Sequence, residues 1–505
     1  MLNVLRVSRW ARLVCTAAVL VAAAVWTGVA YLAAAADTWV EVVSPHFTVI
    51  SNAGEGTARN VGWQFEQIRS GIQAGWPWAR ADLDRPFVVI AVKDEASMRA
   101  LAPQYWENRS GVKPASVSVT APDRQYVLVR TDVKIDGPEG VSPYQMAYWG
   151  FAQLTLSDAF DGRLPFWFGR GLSAVLSNTN ITNTEVQFGR VIPWYVEETR
   201  NGRYPLPALL AMTRESPEYS KETERRRIDA QLWVLMHYLV FGEADRAVSN
   251  QRLNDLAQLT LGGMPSEAAV TKVFGSLAKL DDAYKLYLDR GWFRYSTMKV
   301  DARIQSKEFA ARPLAAGDAA AARAAYLTAT SRYAEARTVL NDAKQASPDL
   351  PAAFMVEGLL ADRENRPADA KAAYEKAVEL KSPNFYAYVR AANLMPRAGA
   401  TPEALATMQS LLTRAAELNE ASSVVHLSLG GVLMQQNQNV AAIEHLRKAV
   451  ALEPMTSSAR LTLASALFRG GQREEALKEA QAALTLARND AQRQAAQSMI
   501  ERISK

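Results

Sequence analysis

The chain opens on a stretch, residues 13–36, that holds no charged side chain and is apolar almost throughout. After it the pattern shortens. Residues 39–43 and 46–50 alternate or run apolar around Ser44-Pro45 and predict two short strands. Over 56–75, Val61, Phe65, Ile68 and Ile72 recur three and four apart, which predicts a helix with one buried face. Residues 85–92 predict a buried strand, 95–105 a helix, and 117–120 with 125–130 a strand pair around Ala121-Pro122-Asp123-Arg124. From 142 to about 297 the pattern is mostly helical. Within it, 190–193 and Trp194 suggest a short edge element, and 204–210 starts a helix after a proline-rich entry. The charged run 222–229 reads as a solvated loop before a strongly apolar helix at 230–242. Residues 298–316 are more polar and read as a connector.

The last third is periodic. Small residues mark one helix at Gly358, Ala392, Gly430 and Ala464, and a second at Ala336, Ala370, Ala404, Ala442 and Ala476. The spacing is 34 except for one step of 38, an insertion near 410–420. Leu340, Tyr374, Met408 and Leu446 keep the same period, and Pro348 and Pro454 close their units. This is the tetratricopeptide pattern, in which small residues let two helices approach and a larger one fills the gap to the next unit. About five units start near Asp318, Pro351, Phe385, Ser423 and Ser457. Such a solenoid leaves a concave groove suited to a peptide or protein partner. Tyr386, Asn393, Met434 and Phe468 are the groove candidates.

Composition changes the picture in two places. Of 505 residues 49% are hydrophobic and 22% charged, enough for two or three globular domains. The formal charge of +5 falls to about +2 once Arg6, Arg9 and Arg12 are set aside, so no electrostatic case for nucleic acid remains. Those three arginines precede the apolar run, which ends in Leu32-Ala33-Ala34-Ala35-Ala36-Asp37. That is the form of an export signal, cleaved near 34–36 or kept as an anchor, and it places the rest in the periplasm or cell envelope. An uncleaved segment would be the chain's one membrane contact and would anchor it in the inner membrane. Cys15, inside that run, is the sole cysteine, so the body has neither disulfides nor thiolate ligands.

The stretch 142–178 has the frame of a zinc-protease site without its chemistry. A zincin helix carries two histidines four apart with a glutamate beside the first. Tyr148-Trp149-Gly150-Phe151-Ala152-Gln153-Leu154 resembles the Tyr-His-Glu-x-x-His-Leu segment of the glutamate-zincins (gluzincins). Leu164-Pro165-Phe166-Trp167-Phe168-Gly169-Arg170-Gly171-Leu172 resembles their Leu-Pro-x-Trp-Leu-x-Glu-Gly-Leu segment. Trp39, Ser44, His46, Phe47 and Val49 are similar to the opening strands of exported proteins of this kind, and Trp233 to Leu239 to their rear helix. By this resemblance Trp149 and Gln153 stand at the histidine ligands, Gly150 at the base and Arg170 at the ligand glutamate. Indole, amide and glycine cannot serve there. A guanidinium about 4 Å from a divalent metal would be repelled by roughly 8 kcal/mol at an effective dielectric of 20. None of the four histidines, His46, His237, His426 and His445, makes a zincin pair. His46 and His237 are read as structural.

The resemblance implies a fold of two parts: an α+β gluzincin-like domain over 37–297 (α/β to 140, helical from 141), then the connector and an all-α solenoid over 317–505. It also implies a pseudoenzyme with no metal or other cofactor, joined to repeats that recruit a protein or peptide. Two other readings stay open. One is a zinc peptidase with an altered site drawn from Asp158, Asp161 or Glu185; the other is a structural spacer. Asp158 and Glu197 are the acids expected to pair with Arg170.

Overall fold

The computed structural model describes residues 37–505 apart from 77, 80, 82, 84, 108–112, 135–139, 157–159 and 161–162. The export-signal reading of 1–36, with Cys15, and two acids of the altered-site reading, Asp158 and Asp161, therefore lie outside the described residues. Among the described residues no helix is long and apolar enough to cross a membrane.

The two predicted strands, β1 (Trp39–Val43) and β2 (Phe47–Ser51), pair antiparallel, and helix α1 (Glu55–Gly75) follows. Its four predicted apolar positions are all buried. Strand β3 (Phe87–Val92) runs parallel to β2; helix α2 (Glu95–Leu101) follows and ends short of the predicted 105, just before Pro103. Proline restricts the residue before it and so closes the helix early. Strands β4 (Ser116–Thr120) and β5 (Gln125–Arg130) pair antiparallel, with β5 parallel to β3. The helical part comprises α3 (Gln145–Leu156) and α4 (Phe166–Ser177), followed by β6 (Asn180–Ile181) and β7 (Glu185–Phe188). Helices α5 (Pro193–Asn201), α6 (Glu222–Phe241) and α7 (Leu277–Arg290) follow, with further helices between them, among them one over Arg246–Leu261.

Three stretches differ from expectation. The edge element expected at 190–194 is absent: 190–192 form no regular structure and 193–194 open α5, because Pro193 suits a first helical position. Residues 222–229 are not a loop but the first two turns of α6. Charges on one side of a helix look like a loop when the apolar stripe begins only later. The stretch 298–316 is not a free connector, since it includes the end of β8 (Ser296–Lys299), which pairs with β7, and β9 (Ala310–Leu314), which pairs antiparallel with β1. β9 is an edge strand with mostly exposed side chains, held in part by Arg312 on Glu41 at 2.6 Å, so its sequence shows no apolar alternation. The main sheet thus has the order β4-β5-β3-β2-β1-β9.

Period-two alternation gives this sheet two apolar faces. Phe87, Val89 and Ala91 with Val127 and Val129 face α1, α3 and α4. Val88, Ile90 and Val92 with Tyr126 and Leu128 face the other way, into a core completed by the first helices of the solenoid.

The solenoid holds five helix pairs and a closing helix: α8 (Ala316–Ala329) with α9 (Tyr333–Ala346), α10 (Pro351–Arg363) with α11 (Pro367–Glu379), and α12 (Phe385–Asn393) with α13 (Pro402–Leu418). Then come α14 (Ser423–Gln435) with α15 (Asn439–Leu452), α16 (Ser457–Arg469) with α17 (Arg473–Leu486), and α18 (Asp490–Ser504). A side chain on Gly358 would meet Tyr374 at 2.6 Å, and one on Gly430 would meet Leu446 at 2.5 Å. The small residues of the period are therefore contact points between paired helices. In four pairs the turn is the same: Arg332, Arg366, Gln438 and Gln472 each donate a backbone N–H to the carbonyl five residues earlier. The residue before each is left-handed, at Ser331, Asn365, Asn437 and Gly471. Three of the four residues added in the 38-residue step lie in α13, which has 17 residues against 14 in α15. Three extra residues rotate a helix by about 300°, nearly a full turn.

Candidate functional site

Two places carry the sequence's functional expectations. The first is the packing of α3, α4 and α6. Trp149 and Gln153 lie one turn apart on α3 and are half-buried, while Gly150 between them is buried against β4. A Cβ at 150 would come within 2.3 Å of the Ser118 hydroxyl oxygen, so glycine here admits the neighbouring strand. Arg170, on α4, lies with its guanidinium carbon 4.7 Å from the centre of the Trp149 ring. The structure therefore brings Trp149 and Arg170 together.

Glu197 is not the partner of Arg170, and the other expected acid, Asp158, lies outside the described residues. Asp229, on α6, accepts from Arg170 Nε at 2.8 Å and from Nη2 at 2.6 Å. Glu197 is exposed on α5. Tyr219 donates its hydroxyl to Asp229 Oδ1 at 3.0 Å, and Arg170 also lies 5.7 Å from its ring. Burial opposes the charge on Arg170, but hydrogen bonding to Asp229 and its charge outweigh that and hold the guanidinium protonated. A fork-to-fork pair of this kind is directional and strong. Its side chains are only 24% and 13% exposed, so it fills the space between the helices with a fixed cation. Asp229 had one signal in the sequence: it precedes Trp233 and His237 by four and eight residues, on a helix face that is otherwise buried. A carboxylate there needs a partner.

The histidines are held structurally where their partners are clear. His46 closes the β1–β2 turn, its Nδ1 and backbone N–H each 2.8 Å from the buried Glu66. Burial would raise the Glu66 carboxyl, but its hydrogen bonds with His46 and Ser44 overcome this and hold it below the usual range. His237 is fully buried, with Nε2 2.8 Å from the Gly189 carbonyl and Nδ1 2.8 Å from the Tyr287 hydroxyl. Nε2–H donating to Gly189 leaves Nδ1 to accept from Tyr287, which is the neutral ring. Burial pushes His237 down to about 4. The unfolded chain takes up that proton near 6.5 while the folded chain refuses it, so stability is lost as pH falls between 6.5 and 4. Urea unfolding at pH 5 should show about 2 kcal/mol less stability from this group than at pH 8, and His237→Gln should flatten that slope.

Glu185, from the altered-site reading, sits in β7 with its backbone N–H on the Thr182 hydroxyl at 3.0 Å. Among the described residues no group of three or more His, Cys, Asp or Glu side chains could hold a metal ion.

The second place is the inner face of the solenoid. Its beginning is covered by the chain itself. Tyr326 of α8 meets Tyr126 of β5 edge-on at 5.9 Å, Arg323 lies over the Trp39 ring at 5.7 Å, and the Asn384 amide donates to Asp123 at 2.9 Å. Asn384 caps α12 through the Tyr386 N–H, so the groove candidate Tyr386 stands beside the β4–β5 turn. Asn393 accepts from Arg397 at 2.6 Å, Met434 is buried, and Phe468 is covered by the Arg502 guanidinium of α18 at 5.6 Å. The covering turn had no signal in the sequence, since Asp123 lies 261 residues from Asn384.

The tetratricopeptide repeat family matches by one model over residues 433–500 and by a second over 352–384. No curated protein matches the chain. Similar solved structures include YrrB, described as a TPR protein with an unusual peptide-binding site, at 17% identity, a TM-score of 0.31, and 36% of this chain against 91% of that one. TTC0263, a TPR protein of Thermus thermophilus, is 22% identical, with a TM-score of 0.27, 37% of this chain and 100% of that chain. PilF of Pseudomonas aeruginosa is 18% identical, with a TM-score of 0.30, 37% of this chain and 88% of that chain. The last third of the chain carries tetratricopeptide repeats, in helix pairs that pack as a solenoid.

Proposed function

We propose that the chain is a non-catalytic interaction protein of the cell envelope, in which a gluzincin-like domain without its metal site is joined to repeats that bind a protein or peptide. The observation that carries this reading is the Arg170–Asp229 pair stacked on Trp149 between α3, α4 and α6. On the resemblance stated above, this cation stands where a divalent metal would, and it is fixed by two hydrogen bonds. Tetratricopeptide repeats supply the partner surface, and the solenoid beyond the β4–β5 turn is where that surface extends. The envelope location rests on the arginine-flanked apolar run at the start of the sequence.

Metal content and peptide hydrolysis, measured on the protein after incubation with zinc, test the domain's role. The expected result is no stoichiometric zinc and no cleavage. One bound zinc with chelator-sensitive cleavage would replace this reading with the peptidase.

A further inference from the structure

The later repeats separate their charges. Helix α12 with the loop after it, residues 394–401, and helices α14 and α16 contain no Asp or Glu, whereas their second helices α13, α15 and α17 all carry glutamates. Two arginines of the first helices are neutralised from elsewhere: Arg390 by Asp362 at 2.7 Å and Arg460 by Glu479 at 2.6 Å. Arg397 and Arg469 are not. Arg397 donates Nη2 to the Asn393 side-chain oxygen at 2.6 Å, and Arg469 donates Nη1 to the Met434 carbonyl at 3.3 Å. Among the described residues neither has a carboxylate at ion-pair distance.

Both arginines reach the same turn of α14. Arg397 Nη1 lies 3.8 Å from the place a Cβ on Gly431 would take, and Arg469 binds the carbonyl three residues further on. They arrive from opposite sides, since the units of α12 and α16 flank that of α14. Packing does not require Gly431. Its neighbour Gly430 lies under Leu446, but a Cβ on Gly431 would touch only that arginine nitrogen beyond its own helix backbone. Glycine inside a helix weakens it relative to alanine, so nothing in the fold favours it here. What it leaves is an open floor between two guanidiniums. Beside Arg469, Phe468 carries a third, Arg502, over its ring at 5.6 Å; the other contact of Arg502 is the Met499 sulfur at 2.8 Å.

We infer that this part of the inner face binds an acidic peptide segment, with Asp or Glu carboxylates on Arg397 and Arg469 above Gly431 and a further one reaching Arg502. Each guanidinium presents a fork that matches a carboxylate. The three stand on successive elements rather than around one point, which fits several carboxylates along an extended chain better than a single phosphate. The proposal rests on the reading that the repeats bind a protein or peptide, and names the chemistry of that partner.

Isothermal titration calorimetry on the intact protein tests it with Ala-Glu-Glu-Leu-Glu-Glu-Ala, acetylated and amidated at its ends. The comparison probes are its glutamine counterpart, that counterpart with a free C-terminal carboxylate, and a short thymidine oligonucleotide. The glutamate peptide should bind at least about tenfold more tightly than the amidated glutamine peptide at about 50 mM salt, and the difference should shrink at about 500 mM. Arg397→Gln and Arg469→Gln should each weaken it about tenfold, whereas Arg447→Gln, on α15 and paired with Glu475, should not. Gly431→Leu should also weaken it about tenfold while the unfolding midpoint stays at or above that of the parent, because leucine favours the helix. A purely structural glycine would lose both together.

Glutamate and glutamine peptides bound alike would overturn the acidic partner and leave a peptide-binding solenoid. No peptide bound at about 1 mM would overturn the proposal and count against that wider reading as well. Tighter binding of the free terminus would assign the site to a chain end, and tighter binding of the oligonucleotide to nucleic acid; either would overturn the proposal.

Discussion

A chain ending at residue 315 should fail to give a stable monomer, although it retains every strand of both sheets. The cut would uncover Val88, Ile90, Val92, Tyr126 and Leu128, all at most 2% exposed in the intact chain, on a face completed by α8, α9 and α10. At about 2 kcal/mol for each large apolar side chain returned to water, the loss is about 10 kcal/mol. A whole domain is commonly stable by about 5–15 kcal/mol. Gel filtration and urea unfolding of the shortened chain are expected to show aggregates or a non-cooperative transition; a monomer with a sharp transition would refute the shared core. A point substitution gives the same test in the full chain. Tyr326→Ala should cost about 3–4 kcal/mol. Tyr326→Phe should cost nothing, because the buried hydroxyl makes no hydrogen bond and its removal leaves no group unpaired.

Asp229→Ala should destabilise the protein by about 2–3 kcal/mol, since it strands the Arg170 guanidinium between three helices. The usual cost of breaking a buried pair is about 3–5 kcal/mol, and the 24% exposure of Arg170 lets water recover part of it. Replacing both partners, Arg170→Met with Asp229→Leu, should restore most of the loss, because two apolar side chains need no charge partner. Denaturant midpoints of the single and double variants measure this. A single variant within about 0.5 kcal/mol of the parent, a scale typical of exposed pairs, would mean that the pair is only a surface contact.

The sequence disclosed the elements whose periodicity arises from burial on one or two faces. Val61, Phe65, Ile68 and Ile72 announced α1 because all four enter the same core, and the 34-residue period announced the helix pairs because Gly358 and Gly430 sit under Tyr374 and Leu446. It also put Trp149 and Arg170 in one locus. What it hid has a common cause. β9 and Asp229 depend on partners far along the chain, Trp39 to Val43 in one case and Arg170 in the other. An exposed edge strand and a single acid at the end of a charged run carry no local pattern. The approach of Arg397 and Arg469 to one turn of α14 was equally silent, since they come together from separate repeats.

The pairing of β1 with β9 has a consequence for how the protein comes into being. Trp39 lies opposite Leu314, so the first strand made waits for one that emerges some 275 residues later. Until then β1, rather than the mostly polar β9, is the edge of the sheet, and its outer face stays bare until α8 to α10 follow. Long-range closure of this kind slows folding, and an open edge invites pairing with another chain. The unfinished N-terminal part is therefore the stage of synthesis most in need of a chaperone. Release from it should come only after roughly residue 360, when the first two helices beyond the sheet and Leu360 of the third can close the shared core.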